Sequence, residues 1–331
     1  SGLAALATVA LALLRTGDEV LIPDNAYGPN KALAEVELAH YGIRHVLYDA
    51  MDPQDLAAKI TPATRLVWLE APGSVTLEFP DLPELVRICR ARGVCTALDN
   101  TWGAGLAFNP FDLLADGTHS LGVDATVHAL TKYPSGGGDV LMGSIITRDN
   151  ALHMRLKLAH MRLGLGVGMN DVELVLRSLP STALRYHAQD KTARQLAAAL
   201  QRQNAVKQLL HPAFASSPGH AHWQQLCATP ENPAGAAAGI FSVVFDAPQS
   251  QVDDFCNRLQ LFKLGYSWGG HISLVMPYAL DEMRDLGRGA VLPGCLVRLC
   301  IGLEEAADLE RDVAQAYGQA FGHAWRGQGV H

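Results

Sequence analysis

The sequence lacks an apolar run long enough to cross a bilayer, which takes about 20 residues. The apolar stretch LAALATVALALL at 3–14 is too short. No basic region precedes it and it runs straight into RTGDEVLIPD, so it reads as a buried helix rather than a signal segment. Ser1 stands directly at that helix start, so we expect a fragment without its natural N-terminus. Cysteine is sparse: Cys89, Cys95, Cys227, Cys256, Cys295 and Cys300 form no CxxC pair, and most lie in apolar runs. That excludes a disulfide scaffold and fits the reduced thiols of a cytoplasmic protein. Of thirteen histidines only His220 and His222 are close, in a Gly/Ser/Pro-rich loop without acidic or cysteine neighbours, so no metal site is expected. Charge is scarce as well, 18% with a net value of −7. Without a basic run, neither nucleic acid nor an anionic membrane is an expected partner. The glycine run in SGGGD lacks the Gly-Lys-Ser/Thr ending of a nucleotide phosphate loop.

What is present is a chain of 331 residues, 49% apolar, long enough for a large domain and a smaller one. EVLIPD, IRHVLYD, RLVWLEAP, VCTALDNTW, VDATVHAL and VLMGSIIT read as strands. Helical patterns separate the first of them: NKALAEVELAHYG, PQDLAAKI and PDLPELVRICRARG. This alternation predicts an α/β fold, a mostly parallel sheet with helices on both faces. After about residue 170 the pattern turns helical. GIFSVVFD, HISLVMP and CLVRLCIG then read as strands among helices, before a closing helix, EEAADLERDVAQAYGQAF. We therefore expect a large domain over 1–182, and a linking helix with a smaller α+β domain over 183–331.

In open α/β sheets ligands bind beyond the carboxyl ends of the strands. Tyr27, Glu70, Ser74, Asp99, Asn100, Trp102, Thr131 and Lys132 fall there, and Gly2 and Leu3 open the first helix. Asp99 follows an apolar strand and needs a partner, because a buried lone carboxylate is costly. One reading is a structural ion pair with Lys132. The other is a ring cofactor between them. Pyridoxal phosphate takes a lysine amine, a carboxylate at its pyridine nitrogen, a phosphate cradle and a flat partner for its ring. The free amides at Gly2 and Leu3 suit the phosphate, Thr131 adds a hydroxyl, and Tyr27 can stack.

LDNTWGAG together with ALTKYPSGGGDVLMGS resembles the cysteine and methionine metabolism family of pyridoxal-phosphate enzymes. PDNAYGPN, WLEAPGSVTLEFPDL, LGYSWGGHISL and VRLCIGLE resemble its cystathionine β-lyase branch, in the same order, so that the likeness spans roughly Ser1 to Phe321. The resemblance implies the fold type I architecture, with a seven-stranded type of sheet. It implies that Lys132 holds the cofactor and moves the Cα proton. Asp99 would keep the pyridine nitrogen protonated, and Tyr27 would stack on the ring and assist the leaving sulfur. Gly2, Leu3 and Thr131 would bind phosphate. Arg298 would grip the substrate carboxylate by bidentate geometry, and Ser267 and Trp268 would line the pocket. Taken without the resemblance, Arg298 could face solvent, against which its apolar flanks CLV and LCIG speak, and Trp268 could be core.

The implied partners are an amino-acid thioether substrate and further copies of the chain, as a homotetramer built from two dimers that share sites. The implied reaction is β-elimination of cystathionine to homocysteine, pyruvate and ammonia. Alternatives are γ-lyase, γ-synthase or cysteine desulfhydrase chemistry, or a non-catalytic binding protein on the same fold. Relatives with γ-chemistry commonly carry an acid before the serine matching Ser267; Tyr266 stands there, which favours β-elimination. Three departures stand out. Gly136, Gly137, Gly138 and Asp139 replace a GHSD pattern, Ala129 replaces a common serine, and the Tyr-x-Arg segment lent across the dimer to the neighbour's phosphate lies upstream of Ser1 in the family.

Overall fold

The computed structural model describes residues 1–229 and 232–327. Strands β1 (Glu19–Pro23), β2 (Arg44–Tyr48), β3 (Thr64–Glu70), β4 (Cys95–Asp99), β5 (Ala125–Ala129) and β6 (Gly143–Ile146) form a sheet in the order β2-β1-β3-β4-β5-β6. The first five are parallel. β6 runs antiparallel to β5. The sheet thus has six strands among the described residues, against the seven-stranded type expected.

Helices α1 (Gly2–Leu13), α2 (Gly28–Ala32), α3 (Pro53–Lys59), α4 (Leu82–Ala91) and α5 (Asn150–Arg162) surround it. Alternate strand residues point to opposite faces. Val20 and Ile22 join a core with Leu6 and Val9 of α1 and Leu152 of α5. Leu21 joins a second core with Leu56 of α3 and Leu85 of α4. The sheet is therefore buried on both sides, which explains strands that read as nearly continuous apolar runs. Local chemistry sets the helix starts: Ser1 caps α1 through the Ala4 amide, Asp52 caps α3 and Asp81 caps α4, the last two with Pro just inside. The helix expected from NKALAEVELAHYG is irregular, because α2 passes into a π-helical stretch at Leu33–Leu38.

Helices α6 (Met169–Ser178) and α7 (Thr182–Gln201) lead to a second sheet. It contains β7 (Val206–Leu210), β8 (Ile240–Phe245), β9 (Lys263–Leu264), β10 (Leu274–Tyr278) and β11 (Cys295–Cys300), in the order β7-β8-β11-β10-β9. Helices α8 (His220–Cys227), α9 (Gln249–Arg258) and α10 (Ala306–Phe321) complete this part. One buried cluster runs without a break from Leu21 in β1 to Phe321 in α10, so the two sheets share a core. We propose 1–182 and 183–331 as the two domains, the second beginning inside the first turn of α7. All six cysteines are free thiols. Among the described residues, no helix is long and apolar enough to cross a membrane.

Candidate active site

A cavity of about 600 Å³ opens at the carboxyl ends of the strands of the first sheet, where the second sheet closes over them. Gly2, Leu3, Tyr27, Asp99, Thr131, Lys132, Ser267, Trp268 and Arg298 all line it. The structure thus gathers these residues in one place, together with Glu70, Ser74 and Trp102, while Asn100 does not line the cavity.

Asp99 ends β4 and is fixed by the residue two positions on. Thr101 donates to Asp99 Oδ1 from its backbone amide (3.0 Å) and its hydroxyl (2.5 Å). The same hydroxyl accepts from the Ala129 amide at 2.9 Å, pinning the end of β4 to the end of β5. Burial raises the Asp99 pKa, and the two Thr101 bonds and the Lys132 charge oppose that rise. Beside it in register, Glu70 ends β3. Burial, then the Asp99 charge, pushes the Glu70 pKa well above the usual carboxylate range. Glu70 Oε2 accepts the Tyr27 amide at 2.8 Å and so anchors the loop that carries the Tyr27 ring. Tyr27 is 42% exposed. Its phenol pKa is raised by burial and then by Asp99 and Glu70, so it remains protonated at neutral pH.

Lys132 stands in the turn after β5. Its Nζ donates to Ser267 Oγ at 2.8 Å and lies 5.2 Å from the Trp268 ring centroid. Burial, then repulsion from the Arg298 charge, lowers its pKa to about 8. The structural ion pair with Asp99 considered from the sequence is not formed, since the amine turns to a serine of the second sheet's loop instead. The solvent-facing alternative for Arg298 fails too: the residue is 4% exposed. Its Nη2 donates to the Tyr266 carbonyl at 2.6 Å, and its guanidinium lies 5.0 Å from the Tyr278 ring centroid. Its Nε has no partner, and no carboxylate pairs with it among the described residues. Trp268 answers to both of its readings, since it packs on the core and also lines the cavity.

Pyridoxal phosphate fits this donor set. The Gly2 and Leu3 amides stand at the first turn of α1, where a helix has no acceptor of its own for them. The bare Gly2 Cα is required there, because a Cβ would come 2.6 Å from the Ala129 methyl. The Asp99 carboxylate and the Lys132 amine complete the phosphate cradle, ring-nitrogen partner and amine that the group needs.

Tyr278 also lines the cavity, as do Thr101 and Glu70, which hold Asp99 and the Tyr27 loop in place. Thr101 carried a signal, a hydroxyl two residues after a strand-end acid. Tyr278 carried none, since its place depends on the β10–β11 pairing. A second cavity of about 700 Å³ lies at the amino end of the sheet, lined by Arg65, Arg90, Asp124 and Arg155 among others. Its arginines are spent on the protein itself: Arg90 on the Gly122 carbonyl, Arg65 on Asp18 and Arg155 on the Ala12 carbonyl.

The chain matches the model of the family described as Cys/Met metabolism PLP-dependent enzyme over residues 1–318. It is 38% identical over 323 residues to a cystathionine beta-lyase of Bordetella avium, a match that covers 97% of this chain and 76% of that protein. It is 31% identical to a cystathionine gamma-synthase of Mycobacterium bovis, covering 96% and 78%. The crystal structure of cystathionine gamma-lyase from Lactobacillus plantarum complexed with L-serine matches with a TM-score of 0.85 at 25% identity, covering 97% of this chain and 81% of that one.

Proposed function

The chain belongs to the Cys/Met metabolism PLP-dependent enzymes, and from that premise we propose that it is a carbon–sulfur lyase that cleaves L-cystathionine by β-elimination. The carrying observation is Arg298, a buried guanidinium with a free Nε and no carboxylate partner, in the same cavity as a lysine whose pKa is lowered to about 8. A cation left unpaired in the protein calls for an anion from the substrate, and the fork geometry suits an α-carboxylate.

Bound in this cavity, pyridoxal phosphate supplies an electron sink for the pair left at the substrate Cα. Lys132 would be the amine that holds it, Gly2, Leu3 and Thr131 would bind its phosphate, Asp99 would keep its ring nitrogen protonated, and Tyr27 would stack on its ring. With a pKa of about 8, the Lys132 amine keeps a neutral fraction at neutral pH and can take the Cα proton. Ser267 aims that amine. The bond between Cβ and sulfur breaks with its electron pair on sulfur, and the Tyr27 phenol, protonated at neutral pH, can supply the proton to the departing thiolate. One water is consumed, and homocysteine, pyruvate and ammonia result.

Tyr266 and Trp268 favour β- over γ-elimination. Among the described lining residues the only carboxylates are Glu70 and Asp99, both at strand ends of the first sheet, so none stands beside Ser267 to carry protons for γ-chemistry. The test is product identity. Purified protein supplied with pyridoxal phosphate should turn yellow and release pyruvate from cystathionine; α-ketobutyrate as the main product would overturn the assignment. Borohydride and dialysis should leave the cofactor covalently attached to the wild-type protein and none attached to Lys132→Ala.

A further inference from the structure

Lys132 lies outside any strand or helix, so something other than sheet pairing must set its place. We infer that Arg185, on α7, is a positioning residue that holds the turn carrying Lys132; the inference rests on reading Lys132 as the amine that binds the cofactor. Three restraints meet on this turn. On one side the loop after β9 lies flush against it: a Cβ on Gly269 would come 2.9 Å from the Tyr133 amide nitrogen and 3.2 Å from Lys132 Cβ. Beneath it Tyr133 is wholly buried, edge-on to Tyr186 at 4.8 Å, with its hydroxyl accepting the Gly239 amide at 2.7 Å. On the remaining side Arg185 Nη1 donates to the Tyr133 carbonyl at 2.7 Å.

The rest of the guanidinium is engaged with neutral groups. Nε donates to Ser181 Oγ at 3.0 Å, and Nη2 donates to Ser178 Oγ at 2.8 Å, to the Ser178 carbonyl and to Thr182 Oγ1. No carboxylate pairs with Arg185 among the described residues, so charge neutralisation is not its purpose. A rigid planar fork held by α6 and α7 presents one N–H to the backbone beside Lys132. Gly136 makes the approach possible. It closes the turn by donating to the Lys132 carbonyl at 3.0 Å, with φ at +67°. A Cβ there would sit 2.3 Å from Arg185 Nη1. The first glycine of SGGGD therefore serves Arg185, while Gly138 faces open space.

The experiment compares Arg185→Ala, Arg185→Lys, Gly136→Ala and the double variant Arg185→Ala/Gly136→Ala as holoenzymes at matched cofactor content. A small shift of a catalytic group costs up to about 100-fold in rate. Arg185→Ala is accordingly expected to lower kcat for cystathionine about 10- to 100-fold while KM stays within about 3-fold. The pH midpoint of the cofactor's visible absorbance should move by about half a unit or more, since it reports the surroundings of the Lys132 nitrogen. Arg185→Lys should recover part of both, and Gly136→Ala should shift both in the same direction. The double variant should be no worse than Arg185→Ala. An Arg185→Ala enzyme with unchanged midpoint and kcat, or a double variant in which the two losses multiply, overturns the inference. Should Arg185→Ala fail to fold, Gly136→Ala is read on the same two scales, and no change there overturns it equally. A Lys132→Ala protein that still retains cofactor covalently after borohydride and dialysis would instead overturn the underlying reading of Lys132.

Discussion

A lysine useful as a base near neutral pH must be kept from its ordinary value, and Lys132 is kept there by burial and by Arg298. The same shift must show in folding. In the unfolded chain Lys132 titrates at about 10.5 and in the cofactor-free fold at about 8. Between these values the unfolded state binds more protons, so stability rises as pH increases through that window. Cofactor-free protein should therefore gain on the order of 2 kcal/mol toward urea from pH 8 to 10.5 beyond what Lys132→Met gains. Identical pH slopes for the two proteins would show that Lys132 is not shifted. A second prediction concerns Glu70. Glu70→Gln keeps an acceptor for the Tyr27 amide and should retain activity within about 3-fold. Glu70→Leu removes that anchor of the Tyr27 loop and should weaken cofactor binding about 10-fold in a fluorescence titration. Equal effects of the two substitutions would remove the anchoring role. These residues were legible in the sequence to different depths. Asp99 and Lys132 could be read because charge at the end of an apolar strand is conspicuous. The contact between Lys132 and Ser267 could be expected only through the family resemblance, because Ser267 reaches Lys132 across 135 residues and only the folded chain sets that distance.

At the scale of elements the site depends on where strands end and helices begin. The β1 to β5 runs were readable since burial on both faces leaves nearly unbroken apolar letters, and proline and acidic caps marked α3 and α4. Two features were not readable. VKQLL, which forms β7, is short and half polar, and it becomes a strand by pairing with β8. β6 reads like its neighbours, yet it turns antiparallel, a direction that no local pattern encodes. The helix that opens the chain is the element most directly tied to the cofactor. Gly2→Ala would drive a methyl against Ala129 at the tip of β5 and tilt the first turn of α1 away from the cavity. Overpacking of this kind costs about 1–3 kcal/mol. We expect the dissociation constant for pyridoxal phosphate, measured by absorbance, to rise about 10-fold or more, with the thermal midpoint of the cofactor-free protein lowered by only a few degrees. Unaltered affinity would place the phosphate elsewhere.

Across the whole molecule, the two sheets are clasped over the Tyr27 loop. Lys31 Nζ joins Asp24 of that loop to Asp285 and the Met283 carbonyl, and Arg284 reaches Glu78 and Thr76 at 2.5 and 2.7 Å. The opposite situation holds on α5, α6 and the start of α7. Met161, Met169, Leu174, Leu176 and Leu184 stand exposed, Met169 at 79% and Leu184 at 76%. On α6 only Val175 is buried, so the helix turns apolar side chains outward where an isolated surface helix would turn charge. Exposed apolar side chains gathered on these neighbouring helices suit an interaction surface. We propose that a second copy of the chain covers it, because a two-fold contact can close on one repeated patch without any other partner. The same helices hold Arg185, so pairing would also stiffen the scaffold behind Lys132. Sedimentation of the wild-type protein should give a dimer or a multiple of it. The paired substitution Met169→Glu with Leu184→Glu should yield monomers that keep their fold by circular dichroism but bind the cofactor more weakly. A wild-type monomer at micromolar concentration would sink the proposal, as would a charged variant that still assembles.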